Sequence, residues 1–407
     1  MNILFITLLD IVSVDNHDLY TDLVRHCAQN GHNVYIVSPV ERRFGQPSRL
    51  IEDDSDDVHK RVHILKLKTG NIQKTNILEK GMSTVLLESQ LVRGIKRYFS
   101  HVKFDLVLYS TPPITIVKPV RYVKKRDGAR TYLMLKDIFP QNAVDIGLMN
   151  TGVLYRLFRK KEKALYSISD RIGCMSAANV EYLLTHNPEI DPEKVELCPN
   201  CIEIADMSVS AEEREALRVK YGIPLDKQVF VYGGNLGKPQ GIPFIIDCLK
   251  AQRHNENAFF LIVGDGTEYG KLQAYFESEK PQHAKLMQRL PKADYDNMIA
   301  ACDYGLIFLD HRFTIPNFPS RLLAYLQAGL PVLAATDTAT DIGTFLEENG
   351  VGVSCQSDSV ETFCEAVSRI SSLSVDPAHI TSVLKDNFDI SVAYQRIEGN
   401  FYENCCQ

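Results

Sequence analysis

The sequence predicts two α/β domains in tandem, each built on a doubly wound parallel sheet. At 407 residues the chain is too long for one ordinary core, because single cores stop growing near ~250–300 residues. Short β-branched runs alternate with helical patterns, and this alternation restarts after an acidic, helix-prone connector at 208–221. Strands that are apolar on both faces and separated by helices are typical of a parallel sheet covered on both sides.

These patterns give the expected domain organisation. We expect a first domain at 1–206, a second domain at 207–385, and a C-terminal helical segment at 386–407 that crosses back to the first domain. The helical pattern of that segment covers 391–404. Such a pair of domains would face a central cleft at the carboxyl ends of both sheets, where open α/β sheets bind ligands.

The first domain begins with a strand at 3–7, followed by a helix at 19–30. Leu19, Leu23 and Cys27 form the apolar face of this helix, and Gly31 ends it. Further strands are predicted at 34–38, 62–67, 106–110, 131–135, 171–175 and 195–199.

The second domain repeats the alternation. Its strands are predicted at 229–232, 259–263, 285–290, 304–309, 332–335 and 351–355. Its helices are predicted at 243–252, 295–301, 321–328, 342–349 and 359–370.

Composition excludes several classes of protein. A 45% apolar and 24% charged chain is globular rather than disordered, and a net charge of −6 argues against a nucleic-acid partner. No apolar run approaches the ~20 residues of a membrane span, and the N-terminus lacks a signal-peptide pattern.

Ten irregularly spaced cysteines are typical of reduced thiols, and we interpret Cys198-Pro-Asn-Cys201 as a strand-end loop. A cytoplasmic location is therefore expected.

Three consecutive strand ends in the second domain offer backbone groups at one sheet edge. The segment 231–241 reads Val-Tyr-Gly-Gly-Asn-Leu-Gly-Lys-Pro-Gln-Gly, the next strand ends in Gly264-Asp265-Gly266, and the third is followed by Gln288-Arg289-Leu290-Pro291. Glycine lets peptide N–H groups approach an anion, and a following helix N-terminus adds positive potential. The edge is predicted to bind the diphosphate of a nucleotide.

The segment 314–334 has the most specific sequence pattern of those that could bind a ligand. Ser320 is expected to cap a helix that Gly329 ends, and the loop before this helix is expected to form another anion site beside Arg321. With the glycine-rich segments, it resembles retaining family-4 glycosyltransferases of the GT-B fold. In the first domain, Lys136-Asp137-Ile-Phe-Pro-Gln-Asn-Ala-Val-Asp-Ile-Gly147 resembles the subgroup that transfers amino-deoxysugars in O-antigen and capsule assembly.

The resemblance implies a role for individual residues. Arg321 and Lys238 would stabilise the leaving diphosphate, and Asp137 would orient the sugar from the other domain; these three form the expected catalytic set. The expected donor-binding residues are Gly234, Asn235, Leu236, Gly237, Gln240, Gly264, Asp265, Gly266, Leu290, Pro316, Asn317, Phe318, Pro319 and Ser320.

The sequence departs from that family at several positions. Members usually carry two glutamates, and the matching positions hold Pro316 and Ala324. An arginine and a lysine commonly bind the diphosphate, where this chain has Asn235 and Gln240. The usual glycine-rich loop after the first strand is replaced by a polar loop that contains His17, for which a loop role is favoured over a catalytic one.

The expected partners follow from the resemblance. The donor would be a UDP- or GDP-linked sugar, with no metal and no other cofactor, and the acceptor a saccharide or a lipid-linked saccharide. Basic residues around 154–165 and 120–126 either form a surface for peripheral contact with the inner membrane or a solvated helix face. A sugar-nucleotide epimerase and a non-catalytic binding or scaffolding subunit stay open as alternatives.

Overall fold

The computed structural model describes the backbone of residues 1–71 and 77–402, and the side chains of these residues except 77–85 and 400–402. The chain divides into two compact units. Unit 1 comprises Met1–Val144, Met149–Glu203 and the residues from Asp389 onward, and unit 2 comprises Asp145–Leu148 and Ile204–Phe388. The divisions thus fall after residues 203 and 388, near the expected 206 and 385.

Unit 1 is an α/β unit with eight strands among its described residues. In chain order its first elements are β1 (Asn2–Ile6), α1 (Leu19–Gln29), β2 (Asn33–Glu41), β3 (Arg49–Ile51), β4 (Val62–Thr69), α2 (Ile77–Tyr98), β5 (Leu106–Ser110), α3 (Val117–Asp127), β6 (Arg130–Leu135), α4 (Gln141–Asp145, whose last residue groups with unit 2), α5 (Val153–Ile168), β7 (Arg171–Cys174), α6 (Ala177–His186) and β8 (Val195–Leu197).

The sheet of unit 1 has the order β3-β4-β2-β1-β5-β6-β7-β8. Its pairs are parallel except β3 with β4, which are antiparallel. β1 lies in the middle, where Leu4 is paired to Tyr35 on one side and Val107 on the other. This confirms the prediction of a parallel sheet from the buried apolar runs, whereas the short edge strand β3 was not predicted.

Unit 2 repeats this architecture. Its elements are α7 (Ala211–Tyr221), β9 (Gln228–Asn235), α8 (Ile242–Ala251), β10 (Ala258–Asp265), α9 (Tyr269–Glu279), β11 (Ala284–Met287), α10 (Lys292–Ala300), β12 (Tyr304–Phe308), α11 (Arg321–Gln327), β13 (Val332–Thr336), α12 (Ile342–Glu348), β14 (Gly352–Gln356), α13 (Val360–Ser371) and α14 (Pro377–Phe388).

The sheet of unit 2 is parallel in every described pair, in the order β11-β10-β9-β12-β13-β14. The strand order reverses direction between β9 and β12, which is where doubly wound sheets open a crevice for ligands. β11 is shorter than the strand expected at 285–290, because its pairing with β10 ends at Met287 opposite Val263. Residues 288–291 therefore form a loop.

The last helix, α15 (Ile390–Tyr402), belongs to unit 1. It packs on α1, and the Tyr394 hydroxyl lies 2.9 Å from His32 Nε2. The peptide N–H of Ile390 donates to the carbonyl of Ile202 at 2.9 Å, so the start of the helix is fixed to the end of the first part of unit 1. Residues 403 and 404 of the helix predicted at 391–404 lie outside the described residues.

We predict that Gly305→Ala in β12 lowers the free energy of unfolding by about 1–3 kcal/mol, the usual cost of overpacking a core. A Cβ atom at this position would lie 2.4 Å from Cγ of the buried Tyr325 ring. Denaturant unfolding measures the change. Gly270→Ala is the matched control, because a Cβ there has no atom within 4 Å among the described residues. Equal stability of the two variants would contradict the packing argument.

Candidate active site

The crevice in unit 2 opens where β9 and β12 separate. The two strands pair only at Tyr304 with Phe230 and at Gly305 with Val231. Beyond this point the Tyr325 hydroxyl takes the place of a ladder bond: it accepts from the Gly233 N–H at 3.1 Å and donates to the Leu306 carbonyl at 3.1 Å. The hydroxyl thereby satisfies both strands while holding their ends apart.

Arg321 is the first residue of α11 and lies beside this crevice. Its guanidinium carbon is 4.3 Å from the centre of the Tyr232 ring, a cation–π distance. Its Nη1 atom is buried and has no hydrogen-bond partner among the described residues. A buried charge without a partner is costly. The arrangement therefore suits an anionic ligand that would accept a hydrogen bond from Nη1 and balance the charge of the guanidinium.

Gly234 lies next to Arg321 and leaves room for such a ligand. Its φ is +131°, which L side chains rarely adopt, and a Cβ there would lie 3.6 Å from the guanidinium carbon of Arg321. The structure thus brings together two of the residues that the sequence assigned to diphosphate binding.

Gly264 and Gly266 have a packing explanation. A Cβ at Gly264 would lie 1.9 Å from the Gly234 carbonyl oxygen, and a Cβ at Gly266 would lie 2.4 Å from the Leu236 carbonyl oxygen. The ends of β9 and β10 are also joined by a hydrogen bond from Leu236 N to the carbonyl of Asp265 at 2.7 Å. These glycines are needed for the close approach of two backbones. Their contact with a donor, and that of Asp265, stays a prediction.

Asn235 and Gln240 hold the loop after β9 in shape. The Gln240 Oε1 atom accepts from Asn235 Nδ2 at 3.0 Å and from the Gly237 N–H at 3.1 Å. Leu236, between them, is fully buried. Its peptide N–H donates to the Asp265 carbonyl and its carbonyl accepts from the Glu268 N–H, so its predicted contact with a donor stays a prediction.

The loop 316–320 contains a second buried donor without a partner. Asn317 Nδ2 has no hydrogen-bond partner within the described part of the chain, although the Asn317 carbonyl accepts from the Thr340 hydroxyl. Phe318 is 6% exposed and packs against Phe345 and Phe388, so its ring belongs to the core. Pro316 is buried, Pro319 is partly buried and Leu290 is half-buried in the loop after β11.

The prediction that Ser320 caps α11 is wrong. Ser320 has helical dihedral angles, φ −63° and ψ −16°, and its side chain makes no capping hydrogen bond. An N-cap needs an extended backbone so that its side chain can turn back to the first free N–H groups. The helix ends at Gln327, one residue before the expected 328, and is too short for its N-terminus to serve as an anion site on its own.

Lys238 lies apart from Arg321. It follows β9 and lines a cavity of about 440 Å³ whose lining residues include neither Arg321 nor Gly234. The structure therefore does not bring the two expected cationic groups to one cavity.

Asp137 lies in unit 1, directly after β6. Its carboxylate accepts from Asn142 Nδ2 at 2.6 Å, and burial raises the pKa of Asp137 to about 6. Its backbone N–H donates to Thr111 Oγ1 at 3.3 Å. These hydrogen bonds hold Asp137 in place, and with a pKa of about 6 its side chain can be either protonated or ionised. Both properties suit a residue that orients a polar ligand.

His17 belongs to an ionic cluster with Asp22, Arg25 and Glu203. Side-chain atoms of His17, Asp22 and Glu203 lie within 4.8 Å of one another, as metal ligands would. The Arg25 guanidinium fills the cluster: Nη2 lies 3.0 Å from His17 Nδ1 and 2.7 Å from Glu203 Oε2, and it also binds Asp22. The guanidinium already bonds both carboxylates and occupies the space between them, so the cluster serves as a structural junction in unit 1.

Cys198 and Cys201 are buried and free, in the loop after β8. This agrees with their interpretation as part of a strand-end loop. The six other described cysteines are also free.

Sequence reasoning missed the tyrosines that surround Arg321. Tyr232 and Tyr325 are fully buried, and Tyr295 is partly buried beside the glycine turn, where a Cβ at Gly233 would collide with its ring. Tyr232 and Tyr325 are polar-tipped residues within otherwise apolar runs, a signal that could have indicated them. The Tyr325 hydroxyl has backbone partners distant in sequence, Gly233 and Leu306, which the sequence does not reveal.

The two parallel-sheet α/β units define a class of protein, those with the GT-B fold, which glycosyltransferases use. Residues 213–382 match the family model described as glycosyl transferases group 1. The chain thus contains a domain of that family, and it is a glycosyltransferase.

Relatives agree with this assignment. The chain is 24% identical over 332 residues to "Probable glycosyltransferase WbjE" of Pseudomonas aeruginosa, covering 79% of this chain and 80% of the relative. It is 25% identical over 273 residues to "Putative colanic acid biosynthesis glycosyl transferase WcaI" of Escherichia coli K12, covering 65% of this chain and 66% of the relative.

Solved structures share the fold over the whole chain. The complex of Anabaena Alr3699/HepE with UDP-glucose has a TM-score of 0.67 at 14% identity, covering 99% of this chain and 100% of that one. Sucrose-phosphate synthase from Thermosynechococcus elongatus has a TM-score of 0.73 at 12% identity, covering 99% and 98%. At these identities the likeness establishes the fold alone.

We predict that the wild-type protein loses stability relative to Asp137→Asn as the pH rises from about 4 to about 6. The folded pKa of Asp137 is raised to about 6, so the folded state binds this proton more tightly than the unfolded state. The proton on Asp137 stabilises the folded protein fully below the pKa of the unfolded state. This stabilisation is lost as the pH rises through the pKa of the folded state, and the free energy lost should be on the order of 2 kcal/mol. Denaturant unfolding at pH 4 and pH 7 measures it.

Asp247→Asn, which removes an exposed carboxylate on α8, is the control for this pH series. A stability difference between wild type and Asp137→Asn that is the same at both pH values would show that Asp137 titrates normally.

Proposed function

We propose that the protein transfers a sugar, with retention of configuration, from a UDP- or GDP-linked donor to a saccharide or lipid-linked saccharide in surface polysaccharide biosynthesis. The observation that carries the proposal is the buried Nη1 of Arg321, which lacks a partner among the described residues at the β9/β12 crevice. Two comparisons support the substrate class. HepE is described in complex with UDP-glucose, and WcaI is named for colanic acid biosynthesis.

The Arg321 guanidinium would act on the leaving group. As the bond from the sugar to the diphosphate breaks, negative charge grows on the diphosphate, and a fixed cation stabilises it without reorganisation. The Tyr232 ring packs against the guanidinium, whose carbon lies 4.3 Å from the ring centre. Peptide N–H groups near Gly234 would add hydrogen bonds, and Asn317 Nδ2 is a further free donor.

Retaining transfer of this kind needs little acid–base chemistry from the protein. The acceptor hydroxyl must be positioned on the face from which the diphosphate leaves, so orientation supplies much of the effect. No metal is part of the proposal, because a guanidinium takes the charge-stabilising role. Asp137 keeps its predicted role as a contact of the sugar.

We predict that Arg321→Ala weakens binding of the nucleotide diphosphate by at least about tenfold, since a hydrogen bond to a charged group contributes ~1.5–3 kcal/mol. Arg321→Lys should recover only part of this loss, because lysine keeps the charge but not the planar stack on Tyr232. Titration calorimetry with UDP, GDP and a panel of their sugars gives the affinities. Arg253→Ala, which removes an exposed arginine of the same unit, is the control.

The same panel separates the alternatives. Heat with one nucleotide sugar and transfer to an acceptor support the proposal. A protein that binds none of the panel would be a scaffolding subunit, and one that isomerises the sugar without an acceptor would be an epimerase. Unchanged donor affinity of Arg321→Ala would place the diphosphate elsewhere.

A lipid-linked acceptor fits the exposed face of α5. Val153, Leu154 and Leu157 are 84%, 53% and 54% exposed, and they share one face of the helix. Arg156 and Lys160 flank them, exposed and without an ion-pair partner in the part of the chain that the structure describes. A helix with an apolar stripe beside basic residues suits the surface of an anionic membrane.

The rest of this surface is partly neutralised. Arg159 pairs with Glu162 at 2.6 Å, Lys161 with Glu88 at 2.8 Å and Lys163 with Glu189 at 2.8 Å. α3 packs beside α5 and adds the exposed Arg121 and Lys125. The described residues contain no helix that has the length and apolarity of a membrane span. The proposal is therefore contact with one face of the bilayer.

We predict that the double variant Val153→Asp, Leu157→Asp loses at least tenfold in partitioning to vesicles rich in phosphatidylglycerol, because each exposed apolar side chain contributes ~1.5 kcal/mol or more when buried. Vesicle co-sedimentation measures this. Leu225→Asp, which changes a leucine that is 52% exposed in unit 2, is the control. Equal partitioning of the double variant and the wild type would leave α5 as a solvated helix face.

A further inference from the structure

A second polar cavity lies in unit 2, at the carboxyl ends of its strands. Its volume is about 440 Å³, within the range of small-molecule sites. The lining residues that matter here are Lys238 and Gly241 after β9, Phe244 at the start of α8, Asp310 and Arg312 after β12, and Ser357 after β14. Strand ends from three positions in the sheet thus converge on one space that excludes Arg321.

The charges in this cavity are not balanced. Arg312 binds Asp310 through two parallel hydrogen bonds of 2.8 and 2.7 Å, so this carboxylate is neutralised. Glu268 forms an ion pair with Lys271. Lys238 has neither a hydrogen bond nor an ion pair from its ammonium group to any described residue. The cavity therefore carries one uncompensated positive charge.

The N-terminus of α8 opens into the same space. The helix has ten residues, and no side chain of the described residues caps it. Gly241, at the N-cap, has φ +62°, and Pro243 carries no N–H. The N–H groups of Ile242 and Phe244 are left for a ligand, because the first N–H groups of a helix have no partner within it. They add partial positive charge to that of Lys238.

Ser357 gives independent evidence of a ligand. It is 2% exposed, it lines the cavity, and its Oγ atom has no hydrogen-bond partner in the described structure. A buried hydroxyl is nearly always hydrogen-bonded, because a buried polar group without a partner loses the hydrogen bonds that water would give it. A ligand with an acceptor oxygen would satisfy it.

We infer that this cavity binds a phosphate group, held by the Lys238 ammonium, the free N–H groups of α8 and the Ser357 hydroxyl. These donors approach from separate elements, which suits an oxyanion with several acceptor oxygens better than a single carbonyl. The volume exceeds what a bare phosphate needs, so the group would be carried by a larger polar molecule such as a phosphorylated sugar. The inference does not depend on the role proposed for Arg321.

The phosphate could come from two sources, the nucleotide or a separate phosphate ester. Titration calorimetry with inorganic pyrophosphate, glucose 1-phosphate and UDP separates them. Lys238→Ala and Ser357→Ala test the cavity. Lys250→Ala is the control, because Lys250 is an exposed lysine on α8 that does not line the cavity, and Arg321→Ala tests the β9/β12 crevice. All four substitutions change side chains without adding volume.

We predict that Lys238→Ala weakens glucose 1-phosphate binding at least about tenfold and Ser357→Ala about fivefold, as expected for donors to a charged acceptor. Lys250→Ala should bind it as the wild type does. Protection of Lys238, but not Lys250, from acetylation by bound ligand would locate the phosphate by mass spectrometry. If only UDP binding responds to Lys238→Ala, the phosphate is that of the nucleotide.

Two results would overturn the inference. One is unchanged binding of every probe by Lys238→Ala and Ser357→Ala. The other is loss of all phosphate binding in Arg321→Ala alone, which would place the anion at the β9/β12 crevice. Failure of Arg321→Ala to affect UDP would contradict the proposed function without touching this cavity.

Discussion

The buried guanidinium of Arg321, without a counter-ion among the described residues, is the constraint around which unit 2 is arranged. A cation in this position needs compensation, and the protein supplies only part of it through the face of the Tyr232 ring. Tyr325 fixes the geometry, because its hydroxyl joins the Gly233 N–H to the Leu306 carbonyl while α11 carries Arg321 four residues earlier. The charge and the opening between the strands are therefore set by the same helix.

Glycine is required at these positions of unit 2 for two different physical reasons. At Gly264 and Gly266 a side chain would collide with the backbone of the neighbouring strand end, so their absence of a Cβ permits packing. At Gly234 a Cβ would meet only Arg321 at 3.6 Å, and the positive φ is the main requirement. Glycine-rich turns that look alike in sequence thus differ in what they imply, and only the second kind leaves space for a ligand.

The fold was largely predictable, because buried strands read as continuous apolar runs and helices between them force parallel pairing. The edge strand β3 was not, since Arg49 and Leu50 are exposed and its pairing with β4 is antiparallel. In the site, Arg321 and Gly234 were found together, as expected from their motifs. The prediction that Ser320 caps α11 failed because a serine before a helix satisfies the capping pattern, whereas the backbone of Ser320 is already helical. The free Ser357 hydroxyl carries no sequence signal at all, because only the packing around it removes its partners.

The missing glutamates acquire a physical meaning from the position of Arg321. Ala324 lies three residues further along α11, on the same face of the helix, where a glutamate could form an ion pair with the guanidinium. Such a pair would neutralise internally the charge that the proposal assigns to the diphosphate. With alanine at 324, the guanidinium has no acid one turn further along α11, and in the proposed function a ligand phosphate would complete it. In the proposed function, the loss of a carboxylate that could bind a ribose hydroxyl would be offset by a stronger interaction with the diphosphate. The alanine at 324, which departs from the family pattern, and the arginine at 321 would then belong to one electrostatic arrangement.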